Sequence, residues 1–219
     1  MLTGDGPKGT KSMSWMNLPP RLAERGIATF LFDFEGLGFS DGVRAKLSLT
    51  KGIQNFRSAF TVASGQVWAD ASRLALFGSS FGAAVTLLTP DITNRVKLLG
   101  LKSPAPFLAE AYTNECTPTG IDEWIHNGFS QELGYEFEVL SDSLNHNVFS
   151  FARQIRTSVL ITHGDKDTVV PLYQSKLLYA CLSGAKQIEV FPGVGHNYSE
   201  EGAWGRMATL FVEWFSKNL

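Results

Sequence analysis

Cysteine is scarce in this sequence: Cys116 and Cys181 are the only two among 219 residues. Two thiols so far apart make no disulfide framework, and they point to a reducing compartment. Long hydrophobic runs are missing as well. No stretch of about 18 apolar residues occurs, so no transmembrane helix is predicted. The opening MLTGDGPKGTK has no basic segment leading into an apolar core, so no secretory leader is predicted either. Charge is in short supply: 18% of residues are charged and the net charge is −2, which gives neither nucleic acid nor an anionic membrane a reason to bind. No group of His, Cys, Asp and Glu has metal-ligand spacing. Gly36 and Gly38 lack the third glycine and the following helix of a phosphate loop. No metal or cofactor is called for, no repeat or low-complexity tract is visible, and the expectation is a cytoplasmic protein.

What is there suits a packed core. Hydrophobic residues make up 44% of the chain, enough for one α/β domain spanning residues 1–219. Short apolar runs at Ile27 to Phe32, Leu74 to Phe77, Val96 to Leu101, Ser158 to Thr162 and Gln187 to Phe191 predict buried parallel strands. Helices are predicted between them. One runs from Asn17 to Arg25 with Gly26 as its stop, one carries Ile53, Phe56, Phe60, Ala63 and Val67 on one face, and others lie at Ala83 to Leu88 and Tyr173 to Leu182. A terminal helix buries Trp204, Met207, Phe211 and Phe215. Strands alternating with helices predict a mostly parallel sheet covered on both faces. One segment breaks the alternation. Residues 104–150 are far longer than a crossover needs, and they read as a small inserted cap over the C-terminal ends of the strands. Its aromatics, Phe129 and Tyr135 among them, are candidates to contact substrate.

The most informative stretch is Gly78-Ser79-Ser80-Phe81-Gly82, placed between a strand and a helix. A tight strand-to-helix turn lifts the central Ser80 hydroxyl clear of the sheet, at a helix N-terminus that favours developing negative charge. Taken alone, such a turn could equally be a glycine-rich corner whose serines cap the helix. The last two strands add to it. HGDKDTVVP at 163–171 and PGVGHN at 192–197 each place ionisable residues on a loop that follows a strand, at the same sheet edge as Ser80. A serine hydroxyl needs a base of suitable pKa, and an imidazole needs a carboxylate to fix its tautomer. Ser80, Asp167 and His196 occur in that order. Asp165 is a rival acid with loop capping as its other role, His163 reads as orienting a loop, and His126 and His146 read as surface residues of the cap.

These motifs, with DFEGLGFSDG at 33–42, resemble the α/β-hydrolase superfamily through nearly the whole chain. The similarity is greatest to small bacterial esterases with a short cap, including cinnamoyl/feruloyl esterase-like and serine-aminopeptidase-like hydrolases. The resemblance implies Ser80 as nucleophile, His196 as base and Asp167 as acid, with an oxyanion hole formed by the backbone N–H groups of Phe81 and Asp5. This chain has Thr3-Gly4 where the family usually has His-Gly. The resemblance implies a serine hydrolase that cleaves a small carboxylic ester through an acyl-enzyme. Thioesterase, amide or peptide hydrolase, and a non-catalytic hydrolase-like fragment are the alternatives. The family fold also places a strand where only Met1-Leu2-Thr3 stands, with two more before it. The expectation is therefore an N-terminally shortened chain, with roughly 20–40 residues encoded upstream, or a strand borrowed from a second copy in a homodimer.

Overall fold

A computed structural model describes all 219 residues. Short 3-10 turns aside, the elements in chain order begin with α1 (Met13–Ala23), α2 (Leu49–Ser64), β1 (Ala75–Ser79), α3 (Phe81–Leu87), α4 (Pro90–Thr93) and β2 (Leu98–Lys102). The inserted region follows as α5 (Leu108–Asn114), α6 (Pro118–Asn127), the two-stranded ribbon β3 (Phe129–Ser130) and β4 (Tyr135–Glu136), then α7 (Phe137–Leu144) and α8 (Val148–Ala152). The chain closes with β5 (Ser158–Gly164), α9 (Leu172–Cys181), β6 (Lys186–Phe191) and α10 (Ala203–Asn218). The main sheet is parallel throughout, in the order β1-β2-β5-β6.

Strand periodicity sorts the core into two layers. Leu76, Leu99, Leu101, Val159 and Ile161 point to the face covered by α2 and α3, where Phe56, Phe81 and Val85 meet them. Phe77, Leu98 and Leu160 point the other way, against Trp15 and Leu18 of α1 and Met207 and Phe211 of α10. Helices therefore cover both faces, as the alternation of the sequence predicts.

Several boundaries differ from the expected ones. α1 begins at Met13 rather than Asn17 and runs through Pro19 and Pro20. The prolines remove backbone donors without disturbing the buried stripe of Trp15, Leu18 and Leu22. α2 ends at Ser64, which leaves Val67 outside the helix and exposed.

The larger correction is at Ile27 to Phe32, which forms no strand. A strand exists only through its ladder, and the neighbour of this segment is Met1-Leu2-Thr3. Met1 N donates to Phe30 O at 2.8 Å on one side. On the other side Leu2 makes a single parallel bridge to Gly78, with Leu2 N on Phe77 O at 2.8 Å and Ser79 N on Leu2 O at 3.1 Å. Three residues carry too few donors and acceptors to bind Ile27 to Phe32 into the sheet. They do bring Thr3, Gly4 and Asp5 to the edge where β1 ends.

Candidate active site

Ser80 stands between the last residue of β1 and the first of α3 with φ 49° and ψ −114°. That region suits glycine, and a side chain held there is strained. The surroundings enforce it. A Cβ at Gly78 would lie 2.8 Å from Ala83 Cα, and one at Gly82 would lie 2.4 Å from Thr3 O, so only glycine lets strand, helix and N-terminal segment close on the turn. The turn leaves Ser80 half-buried, and its hydroxyl takes no hydrogen bond from or to any group of the chain.

The loops after β5 and β6 deliver Asp167 and His196. Asp167, on the loop after β5, has its side chain fully buried. Its Oδ1 accepts from Val169 N at 3.0 Å and Val170 N at 2.8 Å. Its Oδ2 accepts from His196 Nδ1 at 2.7 Å and lies 3.2 Å from His163 Nε2. Burial pushes this carboxyl up, but the hydrogen bonds from His163 and His196 outweigh it and hold the group well below the usual carboxylate range. An ionised Asp167 only accepts, so Nδ1 of His196 carries the proton and Nε2 is left with a free lone pair. The His196 pKa lies below its ordinary value of 6.5, chiefly because the ring is buried, with the Asp167 hydrogen bond opposing and the nearby Lys102 charge adding to the depression. The imidazole is therefore neutral, and able to take a proton, at physiological pH.

The other candidates separate cleanly. His163 is buried between Ser175 Oγ at 2.7 Å and Val170 O at 2.8 Å. The carbonyl accepts only, so Nε2 is protonated and the ring fixes the loop that carries Asp167, the orienting role predicted for it. Asp165 accepts from Gly193 N at 2.7 Å and ties the two loops together, away from His196. His126 and His146 lie outside the cavity. No three His, Cys, Asp or Glu side chains converge as a metal site would need.

Two backbone donors are left free here, one next to Ser80 in the chain and one on Asp5 of the cavity lining. The N–H groups of Phe81 and Asp5 have no partner in the chain. Phe81 opens α3, where N–H groups are free by construction. Gly4 lies beside Ser80, since a Cβ on it would sit 3.7 Å from that of Ser80. Asp5 is pinned by a network the sequence did not reveal. Its Oδ2 accepts from Tyr135 Oη at 2.9 Å and Tyr112 Oη at 3.1 Å, and its carbonyl accepts from Arg44 Nε at 3.0 Å. Arg44 also donates to Leu133 O at 2.8 Å and to Tyr135 Oη at 2.9 Å. Burial first, then the Asp5 charge, pushes both phenols far above their ordinary value, so they remain donors.

A cavity of about 410 Å³ lies over Ser80 and His196. Ser80, His196, Gly4 and Asp5 line it, with Leu108, Ala111, Tyr112 and Glu115 of the cap on one side. The expectation that Phe129 and Tyr135 contact substrate is corrected here, because neither lines the cavity. Tyr135 is buried behind Asp5, and Phe129 belongs to the ribbon. The cap residues that reach the site come from α5 instead. Lys102, at the end of β2, also lines it and was not singled out from the sequence. The sequence carries no signal for it, because a lysine at the end of an apolar run reads as a solvated strand end until the sheet order is known.

The chain has known relatives. An uncharacterized protein of Mycobacterium tuberculosis is 30% identical over 202 residues, which is 91% of this chain, and the chain spans 63% of that relative's length. Among solved structures, Est1E of Butyrivibrio proteoclasticus with ferulic acid bound superposes with a TM-score of 0.80 at 23% identity, covering 99% of this chain and 85% of that one. The monoacylglycerol lipase of Paleococcus ferrophilus gives a TM-score of 0.76 at 18% identity, covering 100% and 93%. The fold is that of the α/β hydrolases. The sequence model of the prolyl oligopeptidase family matches residues 14–219, and the chain belongs to that family.

Proposed function

We propose that this protein is a serine hydrolase that cleaves small carboxylic esters through an acyl-enzyme. One observation carries the reading: strained Ser80 shares a cavity with His196, whose Nδ1–H is held by buried, ionised Asp167. Ser80 Oγ attacks the ester carbonyl as His196 Nε2 takes its proton. The N–H groups of Phe81 and Asp5 bind the oxyanion of the tetrahedral intermediate. The intermediate collapses, the C–O bond to the alcohol breaks, and His196 returns the proton to that oxygen. Water, deprotonated by the same imidazole, then attacks the acyl-Ser80 carbonyl and releases the acid. The bond between base and nucleophile in such sites tightens when substrate seats.

Ester chemistry is supported by neighbours of the same fold, one solved with ferulic acid and one a monoacylglycerol lipase. Membership of the prolyl oligopeptidase family favours a second reading, hydrolysis of a peptide or other amide. A panel of p-nitrophenyl esters of rising chain length, run beside acyl and aminoacyl p-nitroanilides, tests both. Esters should turn over with a burst of about one p-nitrophenol per chain, and Ser80→Ala should not. Anilides cleaved faster than esters would replace the ester reading with the amide one. Silence toward both, with no labelling of Ser80 by a fluorophosphonate, would end the hydrolase reading.

A further inference from the structure

Beside Ser80 the cavity opens toward the α1/α10 face of the sheet, and this lobe is built unlike the cap side. Its floor is Phe77 and Ser79 of β1 with Lys102 of β2, and its walls are Trp15, Leu18 and Met207. Strand alternation explains the floor. Phe77 and Leu98 pack on α1 and α10, so Ser79 and Lys102, two and four residues further along their strands, face the same way. Those two residues are also register partners, so their side chains stand next to each other on the floor of the lobe.

Lys102 is 6% exposed, and no carboxylate comes within ion-pair distance of it. Its Nζ donates to His196 O at 3.1 Å and lies 4.9 Å from the centre of the Tyr198 ring. An ammonium has three donors, and one hydrogen bond to a carbonyl leaves two without a protein acceptor. The Ser79 hydroxyl has no hydrogen-bond partner in the chain. Burial lowers the Lys102 pKa to about 8, against the pull of Asp167, so the cation persists at neutral pH. The acids that line the cavity, Asp5 and Glu115, stand elsewhere: Asp5 is turned onto Tyr112 and Tyr135, and Glu115 closes α5.

We infer that this lobe binds a carboxylate of the substrate through Lys102 and Ser79, so that the preferred esters are half-esters of short dicarboxylic acids. The inference rests on the ester-hydrolase reading and gives it a substrate class. Ser79 precedes Ser80, and neighbouring Cα atoms are about 3.8 Å apart, so an acyl chain of roughly three to five carbons would span from the acyl-Ser80 carbonyl to the lobe. A buried cation without a counter-ion is costly to keep, and an anionic ligand supplies what the chain does not.

The test compares monomethyl glutarate with methyl valerate, which carries a methyl group where the half-ester has its carboxylate, by chromatography of the released acids at pH 7. The half-ester should be favoured at least about tenfold in kcat/KM, as a charge-assisted hydrogen bond warrants. The ratio should collapse in Lys102→Met and fall partway in Ser79→Ala. Glutarate itself should raise the melting temperature of wild type but not of Lys102→Met, a readout that needs no turnover. Equal rates on the two esters, with no stabilisation by glutarate, would overturn the lobe and leave Lys102 as a tether for the His196 carbonyl. Failure on both esters without labelling of Ser80 would fall on the hydrolase reading, while the glutarate shift would still decide the lobe.

Discussion

The Tyr135 hydroxyl lies 2.9 Å from Asp5 Oδ2, although 130 residues separate the two in the chain. The bond joins the cap to the Gly4-Asp5 segment beside Ser80, so under the proposed mechanism a cap residue that does not line the cavity would set the oxyanion geometry. Tyr135→Phe should lower kcat about tenfold with little change in KM, because a displaced donor is felt when the oxyanion forms. The buried hydroxyl should cost about 1 kcal/mol of stability when removed. Steady-state kinetics and urea unfolding on one preparation check both, and a change confined to KM would sever the link.

Ser80 carries backbone strain that glycine would not feel. Ser80→Ala keeps a Cβ at φ 49° and should abolish labelling and turnover. Ser80→Gly should abolish them too but release the strain, and should unfold about 1 kcal/mol later than Ser80→Ala. Paired thermal melts decide it. A glycine variant less stable than the alanine one would mean that the turn is not strained.

The pH profile should follow His196. Activity needs the neutral ring, whose pKa lies below 6.5, so kcat/KM should hold through pH 6.5 and fall only as the pH drops through that lower value. Asp167→Asn removes the hydrogen bond that raises the pKa, so the limb should move further down while kcat falls by ~10⁴. Asp167 also adds stability, because its folded pKa is depressed. The gain is present above the ordinary carboxylate range and is lost as pH falls through the folded value, so wild type and Asp167→Asn should converge in strong acid. A limb that moves upward in Asp167→Asn contradicts this account.

Acyl selectivity on the cap side should respond to α5 and not to the ribbon. Leu108→Ala enlarges the cavity wall and should shift the ratio of kcat/KM between short and aromatic esters by about 10-fold, the value of a methylene or two. Phe129→Ala should leave that ratio unchanged. The same ester panel reads both, and the reverse ranking would restore Phe129 to the site.

What the sequence made legible is what depends on neighbours in the chain. The β1–α3 turn, the two loops bearing Asp167 and His196, and the two-layer core all follow from local periodicity and glycine placement. Ile27 to Phe32 misleads because apolarity is local but a ladder is not, and the only segment beside it is three residues long. Tyr135 misleads for a related reason. An aromatic residue in a polar insertion reads as a binding surface until its acceptor, Asp5, is found at the other end of the chain. Lys102 looks like a solvated strand end, and only the order β1-β2-β5-β6 puts it inside.

Lys102 should therefore weaken the fold it occupies. Its pKa falls from 10.5 to about 8, which means the folded chain holds this proton less tightly than the unfolded one. For such a group stability rises with pH between the folded and unfolded values, here from about 8 to 10.5, and the cost is fully present at neutral pH. Each pKa unit is worth about 1.4 kcal/mol, so the cost near pH 7 is about 3 kcal/mol. Met has a similar reach and no charge, and the walls of Phe77, Trp15 and Met207 suit a thioether. Lys102→Met should then unfold at higher urea than wild type at pH 7, less whatever the lost bond to the His196 carbonyl contributes, about 1 kcal/mol. The two curves should approach each other as the pH rises from about 8 to beyond 10.5, above which wild type holds the charge in neither state. A destabilising cation kept beside the Ser79-Ser80 turn is the trade of stability for binding that the proposed carboxylate site requires. If Lys102→Met is the less stable protein at pH 7 and the gap does not narrow with rising pH, the ammonium is structural and that trade does not exist.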